Sequence, residues 1–366
     1  MISMNDFRSQ DEGLIKSELE AVERVLRSGW WVLGSEVESF EAEWASWLGV
    51  PFAVGCGNGM DAIEIGLRAL GIGDGDEVIT TPMTAFATVL AIYRCGATPV
   101  LADISSDSAM LDPESVKRCI TPKTKAVILV HLYGRMGPVQ ELLEICNANS
   151  IFLVEDCAQA HGAKSVAGPA GSFGKFAAWS FYPTKNLGAI GDGGALTSAQ
   201  PEIIDVAKSL RNYGQSVRYQ HPLLGMNSRL DEVQAAILKV RLQHLNKWTD
   251  SRRRVASRYA QEINNPEIKV LPLPKNRNEH VHHLFVVTHP ERDKLQAHLK
   301  SNGVEALIHY PIPIHHQEPC KNIQMDPLGL KKAEEHALQC VSLPCHPGLS
   351  EADVEHVISV VNKFRA

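Results

Sequence analysis

The 366-residue chain has no apolar run approaching the roughly 20 residues that a membrane-spanning helix needs, so no such span is expected. Its opening stretch, MISMNDFRSQDEGLIKSELE, lacks the apolar centre of a secretory leader, which makes a cytoplasmic location the expectation. No excess of basic residues is present: 36 Lys and Arg stand against 42 Asp and Glu, a net charge of −6. Nucleic acid is therefore not an expected partner, and an anionic ligand would have to be met by local donors. The eight cysteines form no C-x-x-C pair, so free buried thiols are expected rather than a disulfide framework. His309, His315 and His316 are neighbours, as are Cys340, Cys345 and His346, but neither group has the spacing of a structural zinc site, and no metal is expected. Repeats and low-complexity tracts are also missing.

What is there reads as an ordinary globular α/β chain, 44% hydrophobic and 21% charged. Ile15, Leu19, Val22, Val25 and Leu26 have the spacing of an amphipathic helix between Leu14 and Arg27, closed by Ser28-Gly29. A turn and second helix follow through WWVLGSEVESFEAEWASWLG. Short apolar runs at 52–54, 78–79, 97–102 and 126–130 read as buried strands. Helical segments at 61–70, 113–119 and 139–149 lie between and after them. Alternation at this spacing predicts a mostly parallel sheet covered on both faces. Further on, 203–210 reads as a helix. Ser228 with Asp231 three residues later predicts a capping box opening a helix that extends toward Tyr259. A strand over 281–288 and a helix over 292–302 suit a second, smaller α/β unit. The expected division is 1–245 for the large domain and 246–366 for the small one.

Chemistry concentrates between Ile151 and Ala195. The apolar run 151–154 ends in Glu155 and Asp156, and ligands of open α/β sheets sit outside the carboxyl ends of strands. Lys185 follows within SFYPTKNLGAIGDGGA. A lysine there can form a Schiff base with an aldehyde, and a strand-end acid can hold a protonated heterocyclic nitrogen; together they suggest pyridoxal phosphate. A lone lysine in a glycine-rich loop is ordinarily solvated and a lone aspartate after a strand ordinarily caps a helix, so the ordered set carries the reading. Upstream, GCGNGMDA places glycines between a strand and a helix start, where free backbone N–H groups suit a phosphate.

The motifs EDCAQAHGA, SFYPTKNLGAIGDGGA, RNYG and NSRLDEVQAA resemble those of the DegT-type sugar-nucleotide aminotransferases. That resemblance implies the aspartate-aminotransferase-like, fold type I architecture with pyridoxal phosphate as cofactor. It implies Lys185 as the covalent anchor and proton carrier, and Asp156 on the pyridine nitrogen. Gln159 is implied on the ring hydroxyl, with Ser180 and the Gly59 and Met60 amides on the phosphate. Asn227 is implied on the phosphate of a neighbouring subunit, which makes a homodimer with shared sites the expectation. Many relatives carry a ring-stacking aromatic where this chain has Ala85; Phe86 is the neighbouring candidate. The N-terminal segment is implied to lie against the large domain, burying Trp30 and Trp31.

The implied reaction converts a nucleotide-linked keto-hexose, dTDP- or UDP-linked, to the amino sugar with glutamate or glutamine as donor. The run 309–317 (HYPIPIHHQ) resembles relatives that aminate 3-keto sugars. Two prolines stiffen it, so His309 and Tyr310, with Tyr182, are candidate sugar-binding groups. A 4-keto aminotransferase is the alternative. A dehydratase of the same fold would carry histidine in place of Lys185, and a non-catalytic regulator would be expected to lose Asp156, Lys185 or the phosphate turn.

Overall fold

In a computed structural model that describes every residue of Met1–Ala366 except Ser9, the chain builds two sheets. The strands are β1 (Phe52–Cys56), β2 (Glu77–Thr80), β3 (Thr98–Leu101), β4 (Thr124–Val130), β5 (Phe152–Asp156), β6 (Ala177–Ser180), β7 (Gly194–Ser198), β8 (Lys269–Val270), β9 (Phe285–Thr288), β10 (Gln324–Met325) and β11 (Cys340–Leu343). The larger sheet has the order β1-β7-β6-β5-β4-β2-β3-β10, and only β7 runs against the rest. The smaller sheet, β11-β9-β8, is antiparallel throughout. Helices between the strands are α1 (Glu12–Ser28), α2 (Ser35–Leu48), α3 (Gly59–Ala69), α4 (Phe86–Arg94), α5 (Pro113–Cys119), α6 (Val139–Ala148), α7 (Pro201–Leu210), α8 (Glu232–Leu242), α9 (Leu245–Glu262), α10 (Arg292–Ser301), α11 (Lys331–Gln339) and α12 (Glu351–Lys363). This is the mostly parallel α/β architecture that the strand–helix alternation predicts.

The near-continuous apolar runs of the central strands reflect burial on both faces. Val127, Ile128, Leu129 and Leu153 are buried between separate clusters. Phe40 and Trp44 of α2 pack with Trp179 and Phe181, with Trp44 edge-on to Trp179 at 5.1 Å between ring centroids. Glycine 34 caps α2 without a side chain, and the buried Glu232 substitutes for one: its carboxylate accepts from the N–H groups of Gly34, Glu36 and Val37 at 2.8, 3.0 and 2.9 Å.

Several local expectations are corrected. Trp30 and Trp31 are 61% and 60% exposed rather than buried. Gly29, at φ 66°, ends α1 and turns the chain outward, and Trp30 satisfies its own Nε1–H on the Val32 carbonyl at 2.8 Å. On α1 itself Leu14, Ala21 and Val25 are buried, whereas Leu19 and Leu26 face outward. Ser228 and Asp231 form no capping box: α8 starts at Glu232, and Asp231 makes no side-chain cap. That helix stops at Leu242, and a separate α9 carries the chain through Tyr259. The strand expected over 281–288 is confined to 285–288, since His282 adopts a left-handed φ of 47° and stacks on His280 at 3.8 Å. Finally, β10 returns to the edge of the larger sheet beside β3, fixed by Asp326, which receives Arg118 at 2.6 Å and the Ser115 hydroxyl.

Candidate active site

Parallel strands present their carboxyl ends at one sheet edge, and the chemistry-bearing residues lie there. Asp156 is the last residue of β5 and Ser180 the last of β6, while β1 ends at Cys56 just before the glycine turn into α3. Adjacent residues on β5 point to opposite faces, so Glu155 and Asp156 part company. Glu155 is wholly structural. It accepts from the N–H groups of Gly171, Phe173 and Gly174, each at 2.8 Å, and lies 3.0 Å from His131 Nε2. Burial alone would raise its pKa, but His131 and these N–H groups hold it below the usual carboxylate range. Asp156 instead faces the site, accepting from the Thr88 hydroxyl at 2.9 Å and the Ala158 N–H at 3.1 Å.

The glycine turn leaves donors free. Asn58 caps α3, its side chain accepting from the Asp61 N–H at 2.9 Å, and its carbonyl takes the Ala62 N–H at 3.2 Å. The preceding amides, Gly59 and Met60, keep no partner among the described residues. Gly59 must be glycine because a Cβ there would come within 2.8 Å of Ser180 Cβ, and that closeness places the free amides beside the Ser180 hydroxyl. Ser228 braces the turn, accepting from the Gly57 N–H at 3.0 Å and donating to Asp61 at 2.7 Å.

Lys185 sits in a loop closed at its base by the Phe181 N–H to Gly193 carbonyl bond at 2.8 Å and the Ala189 N–H to Phe181 carbonyl bond at 2.7 Å. Asn186 ties the loop to Val281 at 3.0 Å. The Lys185 amine has no hydrogen bond or ion pair among the described residues. Burial pushes its pKa down to about 8, against the opposing pull of Asp156. Its charge in turn bears on three histidines. Burial and then Lys185 push His161 down to about 3 and His309 to about 4, and act in the same direction on His283. Beside Lys185 opens a cavity of about 400 Å³ lined in part by Phe7, Arg241, Trp248, Arg252 and His346.

The 309–310 tract lies against this edge. His309 Nδ1 lies 2.9 Å from Ser342 Oγ, and the Tyr310 hydroxyl accepts from Gln159 Nε2 at 3.2 Å. Burial, and secondly the Asp156 charge, raise Tyr310 to about 12. Tyr133 joins the pieces: its N–H donates to Gln159 Oε1 at 2.6 Å and its hydroxyl to the His309 carbonyl at 2.6 Å, with His336 Nε2 2.9 Å from the same oxygen.

The structure thus gathers Gly59, Met60, Asp156, Gln159, Ser180, Lys185, His309 and Tyr310 at one edge. Phe86 opens α4, two residues before Thr88, and packs partly buried against the cluster that includes Met83 and Val89. Tyr182 is 52% exposed beside the lysine loop, and Asn227 is exposed, bridged by its backbone to Asn212. Thr88 and His283 carry no sequence signal of a role here; the loop of Tyr133 resembles one near the cofactor, but that resemblance gives Tyr133 no chemical role.

A family model described as the DegT/DnrJ/EryC1/StrS aminotransferase family matches residues 13–362. The chain belongs to this family. A dTDP-3-amino-3,4,6-trideoxy-alpha-D-glucose transaminase of Streptomyces venezuelae is 42% identical over 98% of this chain and 95% of its own. A protein of Geobacillus stearothermophilus named pleiotropic regulatory protein is 40% identical over 99% of this chain and 98% of its own. The crystal structure of Streptomyces venezuelae DesV in complex with a ketimine intermediate superposes with a TM-score of 0.95 at 40% identity, covering 99% of this chain and 98% of that one.

Membership makes this chain an aminotransferase of the pyridoxal phosphate-dependent kind, with the fold type I architecture. Its residues fit that cofactor. The free Gly59 and Met60 amides and the Ser180 hydroxyl suit a phosphate, the unpaired Lys185 amine an aldehyde, and the Asp156 carboxylate a ring nitrogen.

Proposed function

We propose that the protein transfers an amino group to carbon 3 of a nucleotide-linked keto-hexose, with glutamate or glutamine as donor. The observation that carries this reading is the convergence of two sets of groups. Asp156 comes from the large sheet and Lys185 from the loop between β6 and β7, His309 and Tyr310 come from the proline-stiffened tract, and the charges of the first pair bear on the second. The name of the Streptomyces venezuelae relative supports the sugar nucleotide and the position.

In this reading Lys185 would hold the cofactor aldehyde, and its neutral amine would carry the proton at the reacting carbon. Bound pyridoxal phosphate supplies the electron sink for that carbon. Asp156 would keep a bound ring nitrogen protonated, and Thr88 orients Asp156 by donating to it. Gln159 would meet the ring hydroxyl, and its amide is fixed by the Tyr133 N–H on one side and Tyr310 on the other. Gly59, Met60 and Ser180 hold the phosphate. Phe86, which opens α4 next to Ala85, is the candidate to stack on the ring. His309, Tyr310 and Tyr182 orient the sugar. Asn227, exposed on this chain, reaches the phosphate of a second copy, so the working form is a cytoplasmic homodimer with shared sites. The chain divides near residue 245 into a large cofactor-binding domain and a small domain that covers it.

The name of the Geobacillus relative favours a second reading, a regulator. Against it stand the retained Lys185, Asp156 and free phosphate donors. Both readings meet one experiment, in which the pyridoxamine form is offered 3-keto and 4-keto hexose nucleotides and kcat/KM is compared. Preference for the 3-keto sugar is expected. Preference for the 4-keto sugar overturns the position, and absence of turnover with both, in protein that has taken up cofactor, overturns the enzyme reading in favour of the regulator.

A further inference from the structure

Beyond the transamination site, a second group of side chains is arranged for chemistry that the mechanism does not use. The tract after Tyr310 continues through Pro311 and Pro313 into a single 3₁₀ turn, Ile314–His316. The turn is anchored: Ile314 is buried, and its N–H donates to the Pro82 carbonyl at 3.1 Å. Two consecutive imidazoles are therefore presented together, their centroids 4.1 Å apart and their planes at 55°. Opposite them on α11 stands Glu334. Its Oε1 lies 3.1 Å from His315 Nε2 and 3.8 Å from His316 Nε2.

We infer that His315, His316 and Glu334 form a binding site for a divalent transition-metal ion, zinc foremost. One ligand atom from each residue falls within 4.8 Å of the other two. With zinc bonds of about 2.0–2.1 Å, tetrahedral ligands stand about 3.3 Å apart, an edge that the 3.1 and 3.8 Å separations bracket. Two imidazoles and a carboxylate are a zinc ligand set of the kind that leaves a fourth position open.

The local charges agree. Glu334 has no lysine or arginine partner among the described residues, so its carboxylate is not already neutralised. The Asp103 carboxylate adds negative charge near His315. His316 and Glu334 are 54% and 41% exposed, leaving an approach from solvent on the side of the open position. The other converging group, His131, Glu155 and Cys157, does not offer this: both Glu155 oxygens are already taken by His131 and three backbone N–H groups.

An ion held here would pin α11 to the tract that carries His309 and Tyr310, since α11 also brings His336 against the Tyr133 hydroxyl. The test is calorimetric titration of the cofactor-loaded protein with zinc, with a cobalt titration read by its visible absorption. One ion per chain is expected, with a rise in Tm at saturating zinc because the folded state alone assembles the site. His316→Ala and Glu334→Gln are each expected to weaken zinc binding by more than about tenfold, leaving turnover in metal-free buffer unchanged. Because His316 is exposed, its alanine variant carries the test even if the Glu334 variant folds poorly. No zinc uptake by the parent protein overturns the inference, and so does uptake that the His316 variant retains unchanged.

Discussion

Lys185 offers the most direct quantitative test of the site. Burial lowers its pKa from 10.5 to about 8, and Asp156 opposes that fall. At pH 7 a lysine of pKa 8 is neutral about one time in ten, and one of pKa 10.5 about one time in three thousand, a gain of roughly 300-fold in reactive amine. Cofactor-free protein should be treated with an amine-acylating reagent over a range of pH, and modification at Lys185 followed by peptide mass spectrometry. A midpoint near pH 8 is expected, with Lys185→Ala folded but free of label at that peptide and inactive in transamination. In Asp156→Asn the carboxylate that favours the ammonium is gone, so the midpoint should fall further. A midpoint above pH 10 in the parent protein refutes the burial argument, and an unmoved midpoint in Asp156→Asn refutes the coupling between the two residues.

The same shift defines a stability window. The folded protein releases the Lys185 proton near pH 8 and the unfolded chain near 10.5, so between those values the unfolded chain binds more protons and stability rises with pH. Below pH 8 the buried ammonium weighs fully against the fold. Lys185→Met should therefore raise the Tm of cofactor-free protein at pH 7, and the advantage should vanish by about pH 10.5. A Tm gain that does not change with pH would assign the effect to packing instead.

Three further outcomes are expected. Gly59→Ala brings a Cβ to 2.8 Å from Ser180 Cβ and close to the Trp179 and Ser180 backbone, so the turn must shift and both cofactor affinity and Tm should fall, as measured by fluorescence titration and calorimetry. Tyr133→Phe leaves the His309 carbonyl with only the weak Cys340 thiol as donor; a loss of about 1 kcal/mol in stability and a larger effect on KM for the sugar than on kcat are expected from denaturant melts and steady-state kinetics. Asn227→Ala should weaken cofactor binding while leaving the sedimentation coefficient that of a dimer, and an active monomer would remove the basis for a shared site.

Much of the site is legible in the sequence because parallel strands are short apolar runs with their chemistry at one end. Asp156 and Ser180 terminate such runs, and Gly59 opens a helix directly after another, so reading where each run stops places all three on one edge. The partners that tune them are not legible this way. Thr88 reaches Asp156 across 68 positions, and Tyr133 reaches His309 across 176. Nothing in HLYG or TAFAT marks those bonds, beyond the four-residue spacing of Thr84 and Thr88, whose hydroxyls lie 2.8 Å apart.

Local signals also misdirect where a distant partner outbids a near one. Ser228 and Asp231 have the spacing of a capping box, yet the Ser228 hydroxyl is claimed by Asp61, 167 positions away. The helix accordingly begins later, at Glu232, whose carboxylate caps α2 instead. The apolar run at 281–288 has strand composition, but stacking of His280 on His282 and the left-handed φ at His282 delay pairing until Phe285. That irregular piece is where Val281 receives Asn186 of the lysine loop. Extending the strand back through 281 would take this carbonyl into a ladder and leave the Asn186 amide without its acceptor. The departure from regular structure is thus what lets this segment fasten the loop that carries Lys185.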